Sequence, residues 1–138
     1  MTNANLGDLP IKKTKIFILG TSNSVCKNGW VDGLAESSSL TIEKIVLGGS
    51  PFFQFLGYFS KVIDANPDYI IVESSPNDEA HFGAIGSEFM FLSLYNDFIS
   101  YLSGIAKVVI FRIPTSLSME RPHLITEKQF PVIFCDRM

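Results

Sequence analysis

The sequence has few of the residues that mark several large classes of protein. Cys26 and Cys135 are its only cysteines, too few for a disulfide framework, and no His, Cys and carboxylate cluster has metal-ligand spacing. No basic run extends beyond Lys12-Lys13, and the formal charge is −3. The positive surface that a nucleic-acid-binding protein needs is therefore missing. These features predict no metal and no nucleic-acid partner.

Long apolar runs and targeting signals are also missing. A membrane-spanning helix needs about 20 consecutive apolar residues. The nearest candidate, residues 89–105, is interrupted by Asn96 and Asp97. The polar residues 1–10 include Asp8 and do not resemble a signal peptide. We therefore expect a cytoplasmic, soluble protein with no membrane span.

The composition is that of one folded domain. The chain has 138 residues, of which 46% are hydrophobic and 18% charged, and its mean hydropathy is +0.25. This combination excludes intrinsic disorder. We predict a flexible leader over residues 1–14 and a single domain over residues 15–138. The 12 phenylalanines are a large apolar content for a short acidic chain and could leave an exposed apolar edge for a partner. The oligomeric state stays open.

Five short apolar runs recur along the chain, and most are continuous rather than alternating. Continuous runs are typical of strands that are buried on both faces of a parallel sheet. Helical patterns separate them, so the order predicts an α/β fold with helices on both faces of a parallel sheet. The predicted strands are Ile16 to Leu19, Ile45 to Leu47, Tyr69 to Val72, Val108 to Ile113 and Val132 to Phe134.

The spacing of apolar residues predicts three helices, over 30–37, 52–63 and about 87–103. Ser50 is the expected N-cap of the second helix and Pro51 its first residue, while Asn66-Pro67 should end it. Gly104 is expected to cap the end of the third helix. The phenylalanines of the second helix are expected to pack against the sheet.

Polar residues follow the first three predicted strands. In an open parallel sheet the ligand crevice lies at the carboxyl ends of the strands. A serine hydroxyl, a glycine backbone N–H and an asparagine side chain at one edge could serve as nucleophile and oxyanion donors of an acyl-transfer site. The segments are Gly20-Thr21-Ser22-Asn23-Ser24, Gly48-Gly49-Ser50 and Ser75-Pro76-Asn77-Asp78. None has the glycine pattern of a nucleotide-binding loop, and we expect no cofactor.

These three segments resemble, in order, the blocks of the SGNH (GDSL-type) hydrolases, whose fold is a flavodoxin-like three-layer α/β/α sandwich. The resemblance implies that Ser22 is the nucleophile and that its own N–H, Gly49 and Asn77 supply the oxyanion donors, with Gly48 as the alternative to Gly49. It also implies hydrolysis of a small-molecule, lipid or carbohydrate-linked ester. Thr21 replaces the acidic residue of the first block, and Ser75 replaces the glycine of the third.

The fourth block of the family, Asp-x-x-His after the last strand, has no counterpart before Met138. We therefore expect a truncated chain, a degenerate member, or another histidine in its place, and weak or no activity. His81 and His123 are the two histidines, and the ordinary interpretation of both is a loop residue without a catalytic role.

Each block also has a structural interpretation. Ser22 could be a helix N-cap, Gly48-Gly49 a strand-to-helix turn and Asn77-Asp78 a turn after the third strand. The alternative function is accordingly a non-catalytic module that binds a ligand or another protein with the same edge of the same fold.

Overall fold

A computed structural model describes residues 10–74, 88–112 and 133–136 of the chain. Within these residues five strands form one sheet in the order β2-β1-β3-β4-β5, and all four neighbouring pairs are parallel. This is the strand order of flavodoxin-like folds. It confirms the predicted α/β fold class with about five parallel strands. The strands are β1 (Thr14–Gly20), β2 (Leu40–Val46), β3 (Tyr69–Ser74), β4 (Lys107–Arg112) and β5 (Ile133–Asp136).

The second strand is longer than the apolar run that predicted it. β2 begins at Leu40, five positions before Ile45. It lies outside β1 in the strand order and pairs with β1 alone among the described strands, and exposed residues such as Thr41 and Glu43 alternate with half-buried ones. Alternating exposure is the pattern of a strand that is covered on one face only. A search for continuous apolar runs therefore detects only its last residues.

The described helices are α1 (Trp30–Ala35), α2 (Phe59–Ala65) and α3 (Glu88–Ile105), and a 3-10 helix over Phe52–Tyr58 precedes α2. The predicted α-helix over 52–63 is therefore α-helical only in its second part. The predicted cap is wrong. Pro51 is itself the N-cap residue, with extended backbone angles of φ −76° and ψ 162°, and no side chain caps the helix. Ser50 is instead buried and donates its backbone N–H to Leu47 O over 3.3 Å.

The two predicted helix ends have different outcomes. α2 ends where expected, at Asn66, which adopts left-handed backbone angles (φ 46°, ψ 60°) and donates its N–H to Ile63 O over 3.0 Å. Gly104 does not cap α3, because the helix continues through it to Ile105 and the N–H of Ala106 still bonds to Leu102 O. Ile105, the residue that extends the helix beyond the glycine, is partly buried against the core cluster.

One face of the sheet carries the main hydrophobic core. The strand register pairs Phe17 with Ile70 and Ile70 with Val108, so these residues point to the same side. The 3-10 helix, α2 and α3 cover this side, and the buried Phe52 and Phe55 confirm that the phenylalanine-rich segment packs on the sheet. The other core residues of this cluster are Leu19, Val62, Val72, Tyr95, Phe98, Ile99, Leu102 and Ile110.

The other face is covered by α1. Phe111 follows the core residue Ile110 in β4 and so points to the opposite side. The ring of Trp30, the first residue of α1, stacks on Phe111 with centroids 4.7 Å apart and an angle of 25° between the planes. Ile18 is fully buried on the same face. Helices therefore lie on both faces of the sheet, which gives three layers.

Several apolar side chains remain outside both cores. Met90, Leu94 and Tyr101 of α3 are 51%, 43% and 50% exposed. They occur at helical spacing along the outer side of α3. The outer side of α3 is therefore a candidate for the predicted exposed apolar surface. The partner that would cover this surface stays a prediction. None of the described helices combines the length and the hydropathy that a transmembrane segment requires.

Candidate functional site

Ser22 lies at the carboxyl end of β1, in a tight turn that we call the β1 turn (residues 20–24). The strand ends at Gly20, and Ser22–Ser24 form a single 3-10 turn. The N–H of Ser24 bonds to Thr21 O over 3.0 Å and that of Val25 to Ser22 O over 3.3 Å. Ser22 is exposed, whereas its neighbours Thr21 and Ser24 are 1% and 2% exposed. The turn therefore leaves the side chain of Ser22 exposed to solvent and buries those of Thr21 and Ser24.

A buried carboxylate holds the β1 turn. Glu73, near the end of β3, is 2% exposed. Its Oε2 accepts hydrogen bonds from the backbone N–H of Thr21 (3.0 Å) and from the hydroxyl of Ser24, and its Oε1 accepts from the hydroxyl of Thr21 and from Asn23 Nδ2 (3.2 Å). Both carboxylate oxygens thus have two donors each, which compensates the cost of burying the group.

Gly20 is required by the same packing. A Cβ at this position would overlap the side chain of Ser24 and would lie 3.4 Å from Oε2 of Glu73. The Ser24 side chain occupies this space because its hydroxyl donates to Glu73. A residue other than glycine would therefore displace Ser24 from the carboxylate or push the turn away from the end of β1.

The turn after β2 lies beside the β1 turn. β1 and β2 end side by side, since Gly20 pairs with Val46 and the N–H of Leu47 donates to Gly20 O over 2.9 Å. Two residues further along, Gly49 is exposed and has φ +70°, a left-handed conformation that favours glycine. Apart from its chain neighbours, no described residue has an atom within 4 Å of where its Cβ would be. Conformation rather than crowding is therefore the reason for glycine at this position.

Asn77, the third predicted site residue, lies outside the described residues, as do His81 and His123. β3 ends at Ser74, which is 5% exposed, and β3 lies between β1 and β4 in the sheet. β3 therefore ends at the same edge of the sheet as the β1 turn. The role of Asn77 as an oxyanion donor stays a prediction.

Cys26 is close to the β1 turn but plays a minor part in it. The side chain is exposed, and its Sγ lies 3.7 Å from Ser22 O, to which it donates. This contact joins the thiol to the backbone of the turn. Among the described residues, no group of three or more His, Cys, Asp and Glu side chains could hold a metal ion.

Sequence reasoning missed Glu73. The predicted third strand ends at Val72, one residue before Glu73, and no function is predicted for that glutamate. A usable signal was present, because a single acidic residue follows four apolar or aromatic residues, Tyr69-Ile70-Ile71-Val72, in a strand that was predicted to be buried. Buried carboxylates need several donors. The hydroxyls of Thr21 and Ser24 and the side-chain amide of Asn23, all in the segment after β1, are such donors, and they contact Glu73.

Comparisons with known proteins show the fold and leave the family open. No protein-family model matches the sequence, and no curated protein matches it. The structure is similar to a catalytic mutant of Axe2, an acetylxylan esterase from Geobacillus stearothermophilus (TM-score 0.57, 12% identity over 76% of this chain). It is also similar to the acetyl xylan esterase AlAXEase (TM-score 0.55, 19% identity over 70%) and to the protein YxiM of Bacillus subtilis (TM-score 0.60, 18% identity over 82%).

The chain spans only part of each of these proteins, namely 63%, 57% and 36% of their respective lengths. At such low identity the likeness shows the architecture alone. The protein therefore has an α/β fold that acetylxylan esterases share, and fold by itself does not fix function.

Proposed function

We propose that this chain forms the serine-bearing part of an ester-hydrolysing site of the SGNH type. The exposed hydroxyl of Ser22 carries the proposal, because it lies at the carboxyl end of a central parallel strand, beside a second turn that contains Gly49. Ligands of open parallel sheets bind at this edge. The acetylxylan esterases that share the fold act on acetylated carbohydrate, and this supports a small carbohydrate-linked acyl ester as the substrate class.

The proposed reaction starts with attack of Ser22 Oγ on the ester carbonyl carbon. The hydroxyl proton passes to a base, the carbonyl oxygen becomes an oxyanion, and the N–H groups of Ser22 and Gly49 and the side-chain NH₂ of Asn77 donate hydrogen bonds to it. Collapse of the intermediate releases the alcohol and leaves an acyl group on Ser22. Water then releases the acid and restores the serine.

The resemblance to SGNH hydrolases implies that the base is a histidine. This chain offers His81 and His123, and neither is assigned to the role. Hydrolysis is expected to be slow if neither imidazole reaches Ser22, because the loss of one catalytic group of such a set lowers kcat by several orders of magnitude, on the order of 10⁴ or more.

The test is labelling of Ser22 by a fluorophosphonate, located by mass spectrometry, together with hydrolysis of p-nitrophenyl acetate. The wild-type protein should be labelled at Ser22, more readily at alkaline pH where a general base matters less. Ser22→Ala should abolish labelling and reduce hydrolysis to background. Ser100→Ala, which replaces an exposed serine near the other end of the sheet, is the matched control and should behave like the wild type.

Equal hydrolysis by the wild type and Ser22→Ala, with no label on Ser22 at any pH, would refute the esterase proposal. The non-catalytic binding module predicted as the alternative would then be the remaining interpretation of the same edge. Retention of the protein on acetylated xylan or acetylated xylo-oligosaccharides would support that module.

A further inference from the structure

We infer that Glu73 is the positioning residue for Ser22. The inference rests on the proposed function, in which Ser22 is the nucleophile. It adds a group that the proposed mechanism does not use, and it identifies the hydrogen bonds between Glu73 and the β1 turn as the feature that fixes the direction of the serine.

The contacts of Glu73 are directed to one segment. The four hydrogen bonds that Glu73 accepts from described residues come from the β1 turn, from Thr21 on one side of Ser22 and from Asn23 and Ser24 on the other. Three of these four donors are side chains, and the fourth is a backbone N–H. The residues on both sides of Ser22 are therefore attached to a paired strand of the sheet, Thr21 through its backbone and side chain, and Asn23 and Ser24 through their side chains.

Burial makes this attachment strong. Glu73 is 2% exposed, and the side chains of Thr21 and Ser24 are similarly buried, so water does not compete for these hydrogen bonds. β3 is paired on both sides, with β1 and with β4. The carboxylate consequently sits on one of the least mobile parts of the described sheet.

Glu73 is poorly placed to act as the base itself. An ionised carboxylate offers about four acceptor positions, and here four donors occupy them. Ser22 is not one of the four donors and is exposed, whereas the carboxylate is buried beneath the turn. Glu73 therefore acts through the turn rather than on the substrate.

The first test is Glu73→Gln. The variant keeps the size of the side chain but replaces one acceptor oxygen with an NH₂ donor, which repels donors from the β1 turn. Misplacement of a reacting group by about 1 Å costs on the order of 10²-fold in rate. We therefore expect kcat for p-nitrophenyl acetate and the labelling rate of Ser22 to fall by about 10- to 100-fold, with KM within about twofold.

The second test is a matched pair at Thr21, which covers the case in which Glu73→Gln does not fold. Thr21→Val keeps the shape of the side chain and removes one donor to Glu73, while Thr21→Ser keeps the hydroxyl. We expect Thr21→Val to lower kcat and the labelling rate, and Thr21→Ser to recover most of that loss. Glu43→Gln, at an exposed glutamate of β2, should leave both rates unchanged.

Amide hydrogen exchange of residues 21–25 separates this inference from the proposed function. Faster exchange of these amides in Glu73→Gln or Thr21→Val, with unchanged protection in β4, is the result that the positioning role requires. Wild-type rates of labelling and exchange in folded Glu73→Gln would overturn the role of Glu73 while Ser22 remains the nucleophile. If wild-type Ser22 is never labelled, the proposed function fails, and Glu73 then has no catalytic serine to position. In that case hydrogen exchange would show only whether Glu73 orders the β1 turn.

Discussion

The carboxylate of Glu73, near the end of β3, accepts hydrogen bonds from both the backbone N–H and the hydroxyl of Thr21, the residue that follows β1. The turn after β1 therefore has a carboxylate partner that the neighbouring strand supplies. In the predicted resemblance to SGNH hydrolases, Thr21 takes the place of an acidic residue of the first block.

Gly20→Ala should destabilise the protein. The added Cβ would overlap the Ser24 side chain, which is held in place by Glu73. Overpacking of this kind typically costs about 1–3 kcal/mol in the free energy of unfolding, which urea denaturation measures. Gly104→Ala is the control, because no described residue outside the backbone of α3 and the chain neighbours lies within 4 Å of its Cβ position, and it should stabilise the protein by about 0.5–1 kcal/mol. Equal stability of the two variants would contradict the packing around Gly20.

Gly49→Ala should cost more stability than Gly48→Ala. Both glycines have free space around the Cβ position, but only Gly49 has a positive φ, of +70°. Left-handed backbone costs a residue with a Cβ about 1–2 kcal/mol. Urea denaturation gives the difference in the free energy of unfolding between the two variants. If Gly49 supplies the oxyanion donor, Gly49→Ala should also lower the labelling rate of Ser22 more than Gly48→Ala does. The reverse order would favour Gly48, the alternative for the second block.

Phe98→Ala should be among the most destabilising substitutions in the described part of the chain. Phe98 is 2% exposed and its ring contacts the rings of Phe52 and Phe59. Removal of a buried phenylalanine side chain costs about 3–5 kcal/mol. Tyr101→Ala on the same helix is the control, since Tyr101 is 50% exposed and should cost clearly less. Thermal and urea unfolding both report the difference, and a similar cost at both positions would disagree with the core described here.

The stacked pair of Trp30 and Phe111 should be measurable as a coupling energy. The rings lie 4.7 Å apart and connect α1 to β4. Aromatic pairs contribute about 0.5–1.5 kcal/mol beyond the area that they bury. A double-mutant cycle with Trp30→Leu and Phe111→Leu should return a value in that range. Additive effects of the two substitutions would show that α1 is held on the sheet by other contacts.

Much of the architecture could be predicted from local patterns. Continuous apolar runs such as Tyr69 to Val72 predicted strands, because a strand that is buried on both faces has apolar residues at successive positions. Helical spacing predicted α3, because a helix that buries one face repeats its apolar residues every three to four positions. The same patterns failed where tertiary context decided the outcome. Pro51 precedes a 3-10 helix rather than beginning an α-helix, and Gly104 lies inside α3, which continues to Ile105, a residue packed against the core.

The sequence by itself determined that a parallel α/β sheet forms and that the Ser22 segment follows its first strand, since both properties depend on residues close together in the chain. Only the tertiary structure decided which acidic side chain meets that segment. Glu73 and Thr21 are 52 positions apart in the chain, and they meet because β3 pairs directly with β1. Strand order is set by the packing of the whole sheet, and the period of any one strand carries no information about it.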